Sequence, residues 1–492
     1  MIEEGSEIEV DLDRMAHGGA AVGRHESLVC FVRDGLPGER VRARVESLGK
    51  GGRFANARAV EILNPSPDRR SYDWAPADPE RTETPVGGVD YAHIRPEAQR
   101  QYKAGVIREQ LERLGGMDPA DGLLTDLTVQ PLDAPSDEGW RTRVHWAVDD
   151  SGRLGMHPYH GSDIIPVEDL PFAIAGINAL RLYEGEWRSI QRIDVAAPAC
   201  GNPPLVVLTA VDGVVPEEIA DDIDVELGMC LPTDEAVGAV ILPAPRSGRS
   251  RGEKPAPVVV RGSGDVVEEL SLPDGSSLRF RVGAGGFWQN HRAAPERLYD
   301  LVGQATGLAE GETAWDLYAG AGLLTAALAD RVGGPGTVWA VEGSPVTAAD
   351  AEFNFGPEGR ARTPRAAQTQ IVTTRAGVEQ ALARWGTPSR EAHGGADPGR
   401  RNRPASRYSP EPSSIPDVVV LDPPRQGAGR KVLERLTQIG PRRIVYVSCD
   451  PAALGRDTGY LAAFGWKLAE VTGLDMYPDT HHVETLAVFE RA

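Results

Sequence analysis

From about residue 286 onward, short apolar runs alternate with helix-like stretches, and this alternation limits the fold more than any other feature of the chain. Residues 313–318, 337–342, 371–374, 418–421, 444–447, 467–471 and 483–489 read as strands. Helices are expected from Leu323, through Asn354 and through Arg384. Such a pattern predicts an α/β domain over 286–492, a doubly wound, Rossmann-like sheet of about seven strands. Residues 386–414, rich in Pro, Gly, Ser and Arg, read as a flexible insertion.

Open α/β sheets bind ligands at the carboxyl ends of their strands, and four of those ends carry chemistry. The run Arg443-Ile-Val-Tyr-Val-Ser-Cys-Asp-Pro451 is a buried strand followed by a helix, with Asp450 able to cap it and Pro451 at its first position. That places Cys449 beside the positive end of a helix, which predicts a lowered thiol pKa. A buried structural cysteine is the alternative. Asp316-Leu-Tyr-Ala-Gly-Ala-Gly322 joins the first strand to its helix, and Gly320 and Gly322 let backbone approach a ligand closely. Glu342 ends the next strand, at the spacing where an acid meets ribose hydroxyls. Thr325 stands where a dinucleotide fingerprint has its third glycine. With Asp422-Pro423-Pro424 at another strand end, the set favours S-adenosylmethionine over NAD; a tight turn without a cofactor is the other reading.

Upstream, residues 1–68 alternate as five short strands around glycine turns, which suits an oligonucleotide-binding type of barrel. Arg40, Arg42, Arg44, Lys50, Arg53 and Arg58 crowd into a stretch with one acid, Glu46, and Phe54 sits among them. This mixture fits RNA backbone contact with base stacking, or equally a solvated β-face. Residues 69–285 read as a β-rich region with a helix over 96–114, whose stripe is Val106, Ile107, Leu111 and Leu114. Arg141, Arg143, His145 and Trp146 in that region face either a polyanion or plain solvent.

A formal net charge of −20 counts against a simple nucleic-acid binder without excluding a local basic surface. No apolar run approaches the roughly 18 residues of a membrane span, and the amino terminus lacks the parts of a signal peptide. The four cysteines, at 30, 200, 230 and 449, match neither a disulfide framework nor a zinc site. The expectation is a cytoplasmic monomer with no metal.

Five motifs then carry a resemblance: Phe287-Trp-Gln289, Asp316-Leu-Tyr-Ala-Gly-Ala-Gly322, Asp422-Pro-Pro-Arg425, Ser448-Cys-Asp-Pro451 and His482-Val-Glu484. In this order they resemble the class I RNA 5-methyluridine methyltransferases, and the barrel resembles that family's TRAM domain. The resemblance implies a Cys449 nucleophile, a Glu484 base, and S-adenosylmethionine contacts from Gln289, Tyr318, Glu342 and Asp422. It implies an RNA substrate, ribosomal or transfer. There are departures. Residues 71–90 hold no cysteine and Leu170-Pro171 stands where another is expected, so no iron–sulfur cluster is predicted. His291 replaces an Asn, Leu323 follows Gly322, and Arg375-Ala-Gly-Val-Glu379 lacks an Asp that reads the adenine in relatives. A cytosine-5 methyltransferase and a non-catalytic RNA-binding factor that keeps the fold remain the competing readings.

Overall fold

The computed structural model describes residues 2–79, 81–132, 139–159, 161–232, 236–245, 256–385, 412 and 415–492. The predicted insertion at 386–414 therefore lies, apart from Pro412, outside the described residues. Among the described residues no helix is long and apolar enough to cross a membrane.

Strict alternation closes the amino-terminal barrel. In Glu7–Met15 the residues Ile8, Val10 and Leu12 point inward, and Val41, Ala43 and Val45 do so from Arg40–Leu48. Ala21–His25, Leu28–Arg33 and Phe54–Asn64 complete the barrel, with Phe54–Asn64 lying between Leu28–Arg33 and Arg40–Leu48. A seven-stranded sheet follows, running from Val258–Arg261 at one edge to Ile165–Pro166 at the other. It carries one long helix, Pro216–Cys230, within a region whose sequence pattern predicts mostly β structure. The signal was present: Pro216 opens the helix, Glu217 and Glu218 follow in its first turn, and Ile223 and Leu227 bury one face.

The carboxyl-terminal sheet has the order Gln370–Arg375, Thr337–Glu342, Thr313–Leu317, Val418–Leu421, Arg443–Ser448, Glu484–Arg491, Trp466–Asp475. The first five are parallel, and Glu484–Arg491 runs against both neighbours. These are the seven expected strands. An eighth, Val129–Pro131, joins the edge alongside Trp466–Asp475. Three residues ending in proline carry no periodic signal, so the pairing is visible only in three dimensions.

One helix joins the barrel to the carboxyl-terminal sheet. Pro96–Arg113 sends Val106 into the barrel core and Ile107 and Leu111 into the core of the carboxyl-terminal sheet. Leu114, expected on that stripe, is instead exposed at the helix end. Gly455 lets the helix Pro451–Ala463 approach it: a Cβ there would lie 2.4 Å from the Gln110 carbonyl. The buried Lys103 pairs with Asp475 at 2.6 Å and donates to the Tyr477 carbonyl at 2.9 Å. Gln99 donates to Asp479 at 2.7 Å. The helix thus fixes the loop that leads to Glu484. Removing one partner of a buried ion pair strands the other, so Lys103→Ala is expected to cost about 3–5 kcal/mol, read by urea unfolding.

Candidate active site

Cys449 and Glu484 come together because their strands are antiparallel neighbours. Ser448 pairs with Thr485 at the end of the ladder, which sets Cys449 opposite Glu484. The strand Arg443–Ser448 is buried over nearly its whole length, and Asp450 then caps the helix Pro451–Ala463 by accepting from the Ala453 amide at 2.7 Å. Asp422 follows the adjacent strand Val418–Leu421, and Arg425 lies beyond it, 3.2 Å from His482.

The thiol is not the low-pKa group that its place at a helix start predicts. Burial pushes Cys449 up to about 12, and the neighbouring Glu484, Asp422 and Asp450 carboxyls add to the effect, with Arg425 in opposition. Desolvation and three nearby acids outweigh the helix end. Glu484 is itself raised well above the carboxylate range by burial and then by Asp422, and its Oε1 has no hydrogen-bond partner among the described residues. Asp316 rises to about 7 through burial and the charge of Glu342. Asp422 is raised by burial, Asp316 and Glu342. Among the described residues the site gathers carboxyl groups, with Arg425 as the cation that acts on the thiol.

The Asp316–Gly322 turn shows why its residues are there. Tyr318, Gly320 and Gly322 all have positive φ, at 69°, 56° and 102°. The Gly320 amide donates to Glu342 Oε2 at 2.9 Å and the Ser344 amide to Oε1 at 2.6 Å, so Glu342 fixes the turn. Thr325, which stands where a dinucleotide fingerprint has a glycine, donates to Asp316 Oδ2 at 2.5 Å; Asp316 Oδ1 is buried without a partner among the described residues. At Gly322 a Cβ would lie 2.4 Å from the Phe355 ring. Gly322→Ala is therefore expected to destabilise by about 2 kcal/mol or more, from left-handed backbone and overpacking together. Thermal unfolding with and without S-adenosylmethionine checks this.

Gln289 is held by the central region. It is buried, and its carbonyl accepts from the Thr142 hydroxyl at 3.4 Å, which ties it to the central sheet. The link to the site is aromatic. His291, in the place of the expected Asn, stacks on Trp140 at 5.6 Å, and Trp140 meets Tyr477 edge-on at 6.4 Å. Tyr477 lies within the field of Glu484, Cys449 and Asp422, which together with burial raises its phenol. Its place at the site was not anticipated from the sequence.

On the barrel, the arginine row is not a free cationic face. Arg40 pairs with Glu9 at 2.8 Å, Arg44 with Glu7 at 3.3 Å, and Arg42 with Glu61. The acids arrive from neighbouring strands, which the local run could not show. Lys50 and Arg53 are exposed at the following turn, while Phe54 packs edge-on against Phe31 at 5.7 Å. The barrel instead reaches the site through the loop after its first strand. His17 Nε2 lies 2.9 Å from Asp450 Oδ2, Tyr159 donates to the Gly18 carbonyl at 2.8 Å, and His481 pairs with Asp90 at 2.6 Å beside Gly19. Asp450 raises the His17 pKa and His17 helps lower that of Asp450. This bridge is complete only at intermediate pH: it weakens above the raised imidazole value and below the depressed carboxylate value.

Residues 2–60 match the TRAM domain family, and residues 414–492 match the family described as tRNA (Uracil-5-)-methyltransferase. The chain is 35% identical over 494 residues to an RNA methyltransferase of Streptomyces avermitilis, covering 99% of each. It is 31% identical to one of Bifidobacterium longum, covering 98% of this chain and 96% of that one. Its fold is similar to that of the Pyrococcus abyssi tRNA (uracil-54, C5)-methyltransferase in complex with S-adenosyl-L-homocysteine. The TM-score there is 0.62 at 18% identity, over 98% of this chain and 100% of that one.

Proposed function

The chain belongs to the TRAM-containing RNA methyltransferases, and from that premise we propose that it methylates carbon 5 of a uridine in transfer or ribosomal RNA, with Cys449 as nucleophile and Glu484 as base. The observation that carries the reading is the placement of Cys449 opposite Glu484 at the end of paired strands.

Carbon 5 of uracil is a weak nucleophile. Addition of the Cys449 thiolate to carbon 6 turns the ring into an enolate with carbanion character at carbon 5. S-adenosylmethionine, when bound, supplies the electrophilic methyl that this carbon takes. Glu484 then removes the carbon 5 proton, the electron pair re-forms the 5,6 double bond, and the Cys449 sulfur leaves carbon 6 as thiolate. The donor fits the site on one count above all: Asp316, Glu342 and Asp422 gather negative charge, with a buried Asp316 oxygen left unpartnered, and a sulfonium brings the missing positive charge. Glu342, at the end of its strand, suits ribose hydroxyls, and Tyr318, Gly320 and Gly322 shape the turn beneath. Gln289 holds the flank at the central sheet.

The raised pKa values set the direction of the pH dependence. Both Cys449 and Glu484 act in their deprotonated forms, and both hold their protons tightly in the ligand-free site. Turnover at saturating substrates is expected to rise by roughly tenfold per pH unit where one such proton must be lost. A pH series of methyl incorporation checks this. A cation beside Asp422 also favours its ionised form, so S-adenosylmethionine is expected to bind more tightly at pH 8 than at pH 5, and the uncharged S-adenosylhomocysteine is expected to show less of that trend.

The test uses labelled S-adenosylmethionine, RNA that lacks the modification, and nucleoside analysis of the product. Appearance of 5-methyluridine supports the reading. Appearance of 5-methylcytidine, or RNA binding without methylation, overturns it.

A further inference from the structure

A hollow of about 320 Å³ opens on the barrel where it faces the central region, next to the loop that holds Asp450. Its floor is a row across three adjacent strands. Phe31 pairs in register with Asn56, and Asn56 with Ser47. The row therefore presents an aromatic ring, an amide and a hydroxyl side by side. Asn56 is exposed, lines the hollow and donates one N–H to Ser47 Oγ at 3.0 Å, which leaves its side-chain carbonyl and second N–H available to a ligand. One wall is Arg33, paired with Glu46 at 2.6 Å and stacked over the Tyr159 ring at 5.3 Å. The opposite wall is His17, joined to Asp450.

Each formal charge in these walls has a partner, so the hollow offers a phosphate little. What it offers is a π-face beside a donor and an acceptor at fixed spacing, which is how unpaired bases are held by stacking and edge contacts. The position agrees with general barrel physics, because five-stranded barrels of this kind bind oligonucleotides on strands 2 and 3 and on the loop between strands 1 and 2. Phe31 and Arg33 lie on the third strand, and His17 lies on that loop. His17, which lines the hollow, bonds Asp450, the residue that follows the nucleophile in the chain.

We propose that this hollow is a subsite for one unpaired base of the substrate RNA, a neighbour of the base being methylated. The inference rests on the RNA methylation proposed above. Extruding a target base leaves its neighbours unstacked, and a stacking site beside the nucleophile offsets that cost. The barrel then contributes to RNA recognition through Phe31 and Asn56 on this face, while Arg40, Arg42 and Arg44 stay engaged with their acids.

The test compares wild type with Asn56→Leu and Phe31→Leu by filter binding to unmodified RNA across a salt series. Asn56 is exposed, so its variant keeps the fold even if Phe31→Leu loosens the barrel. Each variant is expected to raise the RNA Kd by about tenfold, without changing the slope of log Kd against log salt, because stacking and edge contacts release no counterions. S-adenosylmethionine binding is expected to stay as in wild type. RNA affinity within about twofold of wild type for both variants would overturn the subsite. So would a slope reduced by about one, which would mark a phosphate contact. Filter binding needs no turnover, so a failure here is separable from a failure of the methylation itself.

Discussion

Cys449→Ala is expected to abolish methyl transfer while leaving S-adenosylmethionine binding intact. Without the sulfur, carbon 5 keeps the low nucleophilicity of an ordinary uracil, and the remaining site can only hold the reactants together. Loss of a covalent nucleophile costs on the order of 10⁴-fold or more in kcat. The substitution is mild for the fold. Cys449 is half-buried, and the strand and capped helix on either side do not depend on its sulfur. Single-turnover incorporation of labelled methyl, with donor binding measured in parallel, separates the chemical loss from a folding loss. Residual methylation at a tenth of the wild-type rate would be incompatible with covalent catalysis.

Glu484→Gln has the second largest expected effect, and it acts at a different step. The side chain is buried at the start of its strand with one oxygen unpartnered, so an amide of the same shape fits without stranding a charge. It removes one of the three carboxyls that help hold the proton on Cys449, so the thiol pKa falls and addition to carbon 6 is helped. It also removes the base, so the carbon 5 proton stays and the sulfur cannot leave. Turnover is expected to fall by about 10²–10⁴-fold, with a protein–RNA adduct building up that survives denaturation. An adduct band weaker than that of wild type would assign Glu484 to the addition step instead.

The fold was legible because the seven strands over 313–489 are apolar, short and regularly spaced. The site was legible where it depends on strand ends: Cys449, Glu484, Asp422 and Glu342 each stand at or next to the end of a strand whose existence the pattern requires. What stayed hidden depends on partners distant in sequence. The thiol looked activated because Asp450 and Pro451 announce a helix start, but burial and the carboxyls of Glu484 and Asp422, carried by other strands, raise its pKa. The arginines at 40, 42 and 44 looked free because Glu7, Glu9 and Glu61 are not near them along the chain. Thr325 looked like a lost glycine because its role lies in Asp316, nine residues earlier. Val129–Pro131 and the His17 bridge to Asp450 have no local signature.

The most direct measurement of the central claim uses RNA in which uridines are replaced by 5-fluorouridine, incubated with the protein and S-adenosylmethionine. Fluorine at carbon 5 cannot be removed by a base, so the reaction halts after methylation with the sulfur still on carbon 6. A denaturation-resistant complex is expected with wild type, its mass equal to protein plus RNA plus one methyl and its crosslink mapped to Cys449, with none from Cys449→Ala. Methylation of ordinary RNA by wild type, with no trapped complex on the fluorinated RNA, would contradict a covalent route through Cys449.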